Sequence, residues 1–387
     1  MCGWLLSLQL AFTAAHLDVW FESDSAYVLS QISDRLSEHN DTNSRHPLYP
    51  LITFGAAWTL DRTLGIERRA TAEMLLLVGD AVFMACAYLA LRLLGRPRPV
   101  ALLFVGVIVV TTPGLLFLGI HERMIPGGIS VLLVVIAAAA YRRGVASRRW
   151  LLGAAVSSLG ITITNFMTGA ALLVASAGIR RGLRMAAVAY GIVQVLSVVT
   201  LLMFPSSTLF SNIYTWPWMN SVRSYLPDVV YRAGTPVQKS TAFWAHAIVM
   251  PEPARQLKRI AEPPMSYVSF QHVGLDRHGW RGFAALGLWL TCLAAGAIST
   301  IRVRDPVSMA LVAALAAQWG LFLLFGEETV LYAPYFVPLA ALIASRAVAE
   351  RWADFRVRAA AGVFFVLLAW NNLEMFFQAR TLALALL

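Results

Sequence analysis

WLLGAAVSSLGITITNFMTGAALLVASAGI, residues 150–179, runs for 30 residues without an Asp, Glu, Lys, Arg or His. A helix needs about 20 predominantly apolar residues to cross the hydrocarbon core of a bilayer. The stretch is too long for one comfortable crossing and carries Thr164-Asn165 near its middle, so it reads as two helices that hairpin at Asn165. A second block, residues 99–120, is equally free of charge. Inside lipid no water reaches the backbone, and a helix satisfies its own amide groups there. The fold class that follows is all-α, a polytopic membrane helix bundle with about 10–11 transmembrane helices. They are expected at 3–17, 71–94, 99–120, 127–141, 150–164, 166–179, 185–204, 282–300, 307–325, 331–347 and 359–377.

Composition agrees. Of the 387 residues, 58% are hydrophobic and only 13% are charged, with a mean hydropathy of +0.66. A soluble domain carries about twice that charged share. The net charge of +10 taken alone points toward nucleic acid, yet the arginines fall in small clusters between apolar blocks and build no continuous basic face. Arg92, Arg96 and Arg98, Arg142 to Arg149, Arg180 to Arg184, Arg302 and Arg304, and Arg346 to Arg358 make sixteen arginines in alternate breaks. The short breaks on the opposite side, at 121–126, 165 and 326–330, hold one, Arg123. This is the positive-inside pattern, and it assigns the arginine-rich breaks to the cytoplasm. The N-terminus is then cytoplasmic, and 18–70 and 205–281 are non-cytoplasmic segments of a single membrane domain, 1–387. The helix at 3–17 is short and lacks a basic flank, which fits either a start site placed too far downstream or an uncleaved signal-like helix. Cys2, Cys86 and Cys292 match no metal or redox spacing. No Walker sequence marks a nucleotide site.

Trp20-Phe21-Glu22-Ser23-Asp24-Ser25-Ala26-Tyr27-Val28-Leu29 follows the first helix directly, so its carboxylates sit at the membrane–water boundary. Beyond Asp24, the positions Tyr27, Val28, Ile32 and Leu36 recur at helical spacing and predict a short amphipathic helix along the interface. Asp24 or Ser23 caps that helix on one reading. The same placement also holds a carboxylate well for chemistry. In Arg45-His46-Pro47-Leu48-Tyr49-Pro50, Pro47 keeps His46 out of helical geometry and Pro50 suits the first turn of the next helix. His46 is either a site residue or an interface anchor, and Tyr49 a site residue or part of an aromatic belt.

His121-Glu122-Arg123 forms the turn between the third and fourth helices, where Glu122 and Arg123 either face a cavity or make a hydrated turn with an interfacial ion pair. Asn165 either supplies a turn or touches a ligand. Glu327-Glu328, followed by Tyr332-Ala333-Pro334-Tyr335, sets two adjacent carboxylates between apolar helices, where they must face water or a polar cavity. Asp80 lies well inside its helix, as an intramembrane carboxylate with either a functional role or an interhelical contact.

An acidic residue just after the first helix, an amphipathic helix, and then His46-Pro47-Leu48-Tyr49 before the next helix resemble the GT-C superfamily of membrane glycosyltransferases. The protein O-mannosyltransferase and aminoarabinose-transferase branch is nearest in layout, over roughly residues 1–180. Asp24-Ser25 stands where that branch has Asp-Glu, and Pro47 stands alone where it has two prolines. The resemblance implies transfer of a sugar from a polyprenyl-phosphate donor to a protein, lipid or glycan acceptor on the non-cytoplasmic face, with inversion. It implies Asp24 as base, and His46, Tyr49, Glu122, Arg123, Asn165, Glu327 and Tyr332 as substrate-binding residues. Lys239 and Lys258, the only two lysines, are further candidates to neutralise the phosphate. No cofactor is firmly implied. A divalent cation between Asp24, Glu122 and the phosphate is compatible with the family, although no ligand pattern demands one. The implied location is a bacterial inner membrane with the site facing the periplasm or exterior, and with membrane lipids but no nucleic acid as partners.

Two other classes compete. A transporter or lipid flippase is favoured by Asp80, but such proteins usually carry repeats and matched broken helices, and none is visible here. A non-catalytic scaffold would explain a loop with Trp216, Trp218, Tyr225 and Trp244, but not acidic residues at successive outer turns.

Overall fold

The structure is a computed structural model that describes residues 25–38, 40, 45–117, 123–207, 234–258, 265–325 and 329–386. Asp24, Glu122, Glu327 and the expected helix at 3–17 lie outside the described residues. Within them are fourteen α-helices and one two-stranded sheet. Two helices, α1 (Ser25–Ser33) and α2 (Tyr49–Leu64), precede the spans. Next come α3 (Arg68–Leu93), α4 (Arg98–Val110), α5 (Thr112–Leu116), α6 (Met124–Arg142), α7 (Arg148–Ile161), α8 (Phe166–Ala177) and α9 (Ile179–Met203). Within 205–281, the described residues hold α10 (Pro236–Thr241) and the antiparallel strands β1 (Ala254–Lys258) and β2 (Met265–Ser269). The last four helices are α11 (Trp280–Val303), α12 (Pro306–Phe325), α13 (Ala333–Glu350) and α14 (Phe355–Leu384).

Among the described residues, six helices, α3, α6, α9, α11, α12 and α14, are long and apolar enough to cross a membrane. Val195 and Leu202 on α9, and Val363 and Val366 on α14, are exposed. Contiguous apolar surface of this kind suits helices that face lipid, not water. The chain is a multi-pass helical membrane protein.

The block expected as one helix over 99–120 is broken. The ring of Pro113 would strike the carbonyl of Val109 if α4 ran on, and Thr111 turns extended with ψ 164. The chain restarts as α5, folded back so tightly that a Cβ at Gly114 would lie 2.1 Å from Ile108 O. Conversely, α9 starts at Ile179, six residues before the expected 185, because Gly178 at φ 81 ends α8 in a conformation that favours glycine.

α13 is the interior helix, with almost every residue from Ala333 to Arg346 buried. It packs against α11, α6, α4 and α12. Small residues permit close approach of membrane helices, and at Gly296 of α11 a Cβ would lie 2.2 Å from Ile343 O. Buried arginines clasp one end of α13. Arg96 Nε donates to Ser345 Oγ (3.0 Å), and Arg346 Nε donates to Ser299 Oγ (3.0 Å) and Glu350 Oε1 (2.9 Å).

The opposite end is covered by described residues of the 205–281 segment. That segment was expected as a partly helical surface loop, and here the structure differs: it contains a hairpin, and all of 242–250 except Trp244 is buried. Two asparagines of α14 explain the burial, since they satisfy backbone groups that would otherwise need water. Asn372 Oδ1 accepts from Met250 N (2.8 Å), while its Nδ2 donates to Ile248 O (2.7 Å) and Val110 O (2.8 Å). Asn371 Nδ2 donates to Met250 O (2.9 Å).

Candidate functional site

The segment bearing His46 is strapped across the α7–α8 turn. Leu48 N donates to Gly160 O (2.7 Å), Ile163 N to Arg45 O (3.2 Å), and Thr200 Oγ1 of α9 to Pro47 O (3.0 Å). Pro47 cannot donate a backbone hydrogen bond and resists helix, so these outside partners set its path. The His46 ring turns inward, with Nδ1 2.8 Å from Ile161 O and 3.3 Å from Thr162 Oγ1. A carbonyl only accepts, so Nδ1 carries the proton and Nε2 keeps its lone pair. Thr162 Oγ1 lies 3.4 Å from Tyr335 Oη. Tyr335 in turn rests on Gly127 of α6, where a Cβ would lie 2.3 Å from the ring. Asn165 Nδ2 donates to Gly127 O (3.0 Å), and Ser158 Oγ donates to Asn165 O (2.9 Å). His46, Thr162, Tyr335, Gly127 and Asn165 thus form one connected chain of contacts around the first turn of α6.

Arg123 immediately precedes that turn. It is 4% exposed, and its Nε donates to Oε1 of the equally buried Gln31 at 3.0 Å. α1 therefore docks on the head of α6 through Gln31, with Val28 and Ile32 fully buried on either side. The apolar face expected for α1 is correct only in part. Tyr27 is exposed, and so is Leu36, which lies beyond the helix end at Ser33. An Asx-type turn, with Leu36 N donating to Asp34 Oδ1 (2.9 Å), follows that end.

Electrostatics at His46 are one-sided. Burial first, and then the neighbouring charge of Arg123, push its pKa from 6.5 down to about 3. The hydrogen bond to Ile161 O pulls the other way but does not offset them. The imidazole is neutral at ordinary pH and offers a hydrogen-bond acceptor through Nε2.

Of the remaining expected site residues, Tyr49 is fully buried, its ring 6.4 Å from that of His46, in a small core with Val28, Ile32, Ala57 and Ala72. It is a packing residue, not an aromatic-belt residue. Tyr332 is half-buried, stacked on Phe322 (5.2 Å) and 6.1 Å from the Tyr335 ring. Lys239 is buried on α10 and its Nζ donates to Leu323 O of α12 (3.2 Å). Trp244 does not stand clear as a stacking platform, because it packs against Phe243 (4.7 Å) and Trp319 (5.9 Å). The Lys258 side chain lies outside the described residues, and Asp80 is buried in α3. Among the described residues no three His, Cys, Asp or Glu side chains converge to hold a metal.

Gln31, Thr162 and Tyr335 were not singled out from the sequence as site residues. Only Gln31 carried a readable signal, a polar residue between two apolar positions of an amphipathic helix. Taken together, the cluster offers a guanidinium at the positive end of a 19-residue helix, hydroxyl and amide groups, and one imidazole acceptor. Such a set suits an anionic oxygen beside hydroxyl groups.

What fold and cluster define directly is a multi-pass helical membrane protein with a buried polar cluster at the end of the bundle opposite the arginine clasp. Comparison with protein-family models, with curated proteins and with solved structures finds no match.

Proposed function

We propose that the protein is a GT-C-type glycosyltransferase that moves a sugar from a polyprenyl-phosphate donor to an acceptor on the non-cytoplasmic face, with inversion. The observation that carries this reading is the buried Arg123 guanidinium at the head of α6, bonded to Gln31 of α1 and beside the neutral His46. Keeping a guanidinium in an apolar interior is costly, and a cation at a helix N-terminus suits an incoming anion. On this reading Arg123 and the α6 N-terminus take up the charge that develops on the leaving phosphate oxygen. On this reading Thr162, Tyr335, Asn165 and His46 Nε2 meet the sugar hydroxyls. Asp24, the residue before α1 in sequence, accepts the acceptor's proton. The acceptor oxygen bonds to the anomeric carbon as the bond to phosphate breaks, with its electron pair leaving on the phosphate. By the resemblance, Glu122, Glu327 and Tyr332 are further substrate-binding residues, and the apolar flanks of the spans would hold the polyprenyl chain. The positive-inside arginines support a site that faces the periplasm or exterior of a bacterial inner membrane.

The test is incubation of purified protein with a panel of radiolabelled polyprenyl-phosphate sugars. Release of free polyprenyl phosphate from one donor supports the reading, and no release from any donor overturns it. The buried Asp80 of α3 is the observation that favours a transporter instead. Substrate flux across proteoliposomes without phosphate release would select that class.

A further inference from the structure

His246 ends the π-helical turn Ala242–His246, and His278 lies two residues before α11 begins at Trp280. The two are far apart in sequence, yet their ring centres are 5.2 Å apart, with planes tilted by 47°. His246 is fully buried and His278 is 3% exposed. His246 Nδ1 lies 2.9 Å from Phe270 O, so it donates its proton there and Nε2 is left with a lone pair. That Nε2 and both ring nitrogens of His278 are buried with no hydrogen-bond partner. Three buried ring nitrogens without partners, on two rings this close, are costly unless a ligand meets some of them. Asn371 and His278 both approach Gly282. A Cβ built at Gly282 would lie 2.9 Å from Asn371 Oδ1 and 3.3 Å from His278 Nδ1. The Asn371 amide nitrogen is committed to Met250 O and Asn372 Oδ1, which leaves its Oδ1 toward Gly282 and His278.

We propose that His246 and His278 bind one divalent transition-metal cation of the Zn2+ type, with Asn371 Oδ1 and water completing the coordination. Two imidazoles bound to one tetrahedral ion, with Zn–N bonds of about 2.0–2.1 Å, have ring centres about 5 Å apart. The observed separation matches. Metal-bound histidines commonly donate the second ring nitrogen to a backbone carbonyl, as His246 does to Phe270. The ion would join the π-helical turn after α10 to the residues just before α11 and so tie this segment to the bundle. This site stands independently of the transferase reading.

The test uses the full-length protein purified in detergent, stripped with a chelator and titrated with Co2+, whose visible absorption reports tetrahedral nitrogen coordination. One ion per chain is expected, with affinity weakened at least about tenfold in H246Q and in H278Q. Proteolysis of the 254–269 hairpin should quicken in stripped wild type and slow again with Zn2+. No uptake by stripped wild type, which a bridging water would produce, overturns the site. Equal uptake by wild type and both variants overturns it too. If a glutamine variant does not fold, the wild-type spectrum decides alone, and bound Co2+ without tetrahedral bands refutes the assignment.

Discussion

Changing Arg123 to Met keeps most of the side-chain volume and deletes the guanidinium, and the structure separates its two consequences. The first is structural. The 3.0 Å bond to Gln31 is lost, leaving the Gln31 Oε1, on a side chain only 1% exposed, without that donor. Loss of that buried bond costs up to about 1–3 kcal/mol, and removal of a buried charge offsets part of it. The second belongs to the proposed chemistry. Removing a donor aimed at a developing oxyanion lowers kcat by about 10²–10³, or roughly 2.7–4 kcal/mol of barrier. R123M is therefore expected to stay folded with a modestly lower melting midpoint, yet lose nearly all transfer. Because the contact strengthens only in the transition state, kcat should fall more than KM rises. R123K keeps the charge but not the planar fork, so its loss should be intermediate. Q31M removes only the support and should lower stability about as much as R123M, with a smaller rate loss. The assay is release of free polyprenyl phosphate at saturating donor, with thermal unfolding measured on the same preparations. A folded R123M whose kcat stays within about threefold of wild type would refute the phosphate role.

Orientation is testable by cysteine labelling: E122C and E327C should react with an impermeant thiol reagent on intact cells, and G144C only after permeabilisation. The reverse pattern would put every proposed site residue in the cytoplasm. Asp24→Asn preserves helix capping but removes the base, so transfer should fall about a hundredfold or more with normal expression, while Asp34→Asn stays active. Undiminished transfer by D24N would shift the role to Glu122 or Glu327. For pH, His46 in the unfolded chain takes its proton near 6.5 and in the folded chain only near 3, so the unfolded state binds more protons between those values. The stability it contributes is present above 6.5 and is lost as pH falls toward 3, at up to about 1.4 kcal/mol per pH unit. Melting midpoints should drop across that window and drop less steeply in H46N, which can still donate to Ile161 O. Parallel curves would show that the ring is not held neutral.

The span helices were legible in the sequence because lipid permits few alternatives: a long uncharged run must satisfy its backbone internally, and a helix does so locally. The hairpin at Asn165 followed from length and from the polar Thr164-Asn165 near the middle, and the structure puts the turn there. The break at Thr111 did not, since proline is tolerated within membrane helices and Pro113 by itself did not forbid a continuous span. Likewise His46, Arg123 and Asn165 could be picked out one at a time, each with an ordinary alternative. Their grouping with Thr162, Tyr335 and Gln31 depends on contacts between residues up to 173 positions apart. A threonine or glutamine in an apolar stretch looks the same whether it faces lipid, a backbone carbonyl or a guanidinium. The burial of residues 242–250 was equally invisible, because the asparagines that satisfy their backbone sit more than a hundred residues away on α14. Local backbone chemistry determined which segments are helices. Only the tertiary structure decided which polar groups meet, because that depends on how the helices turn their faces toward one another.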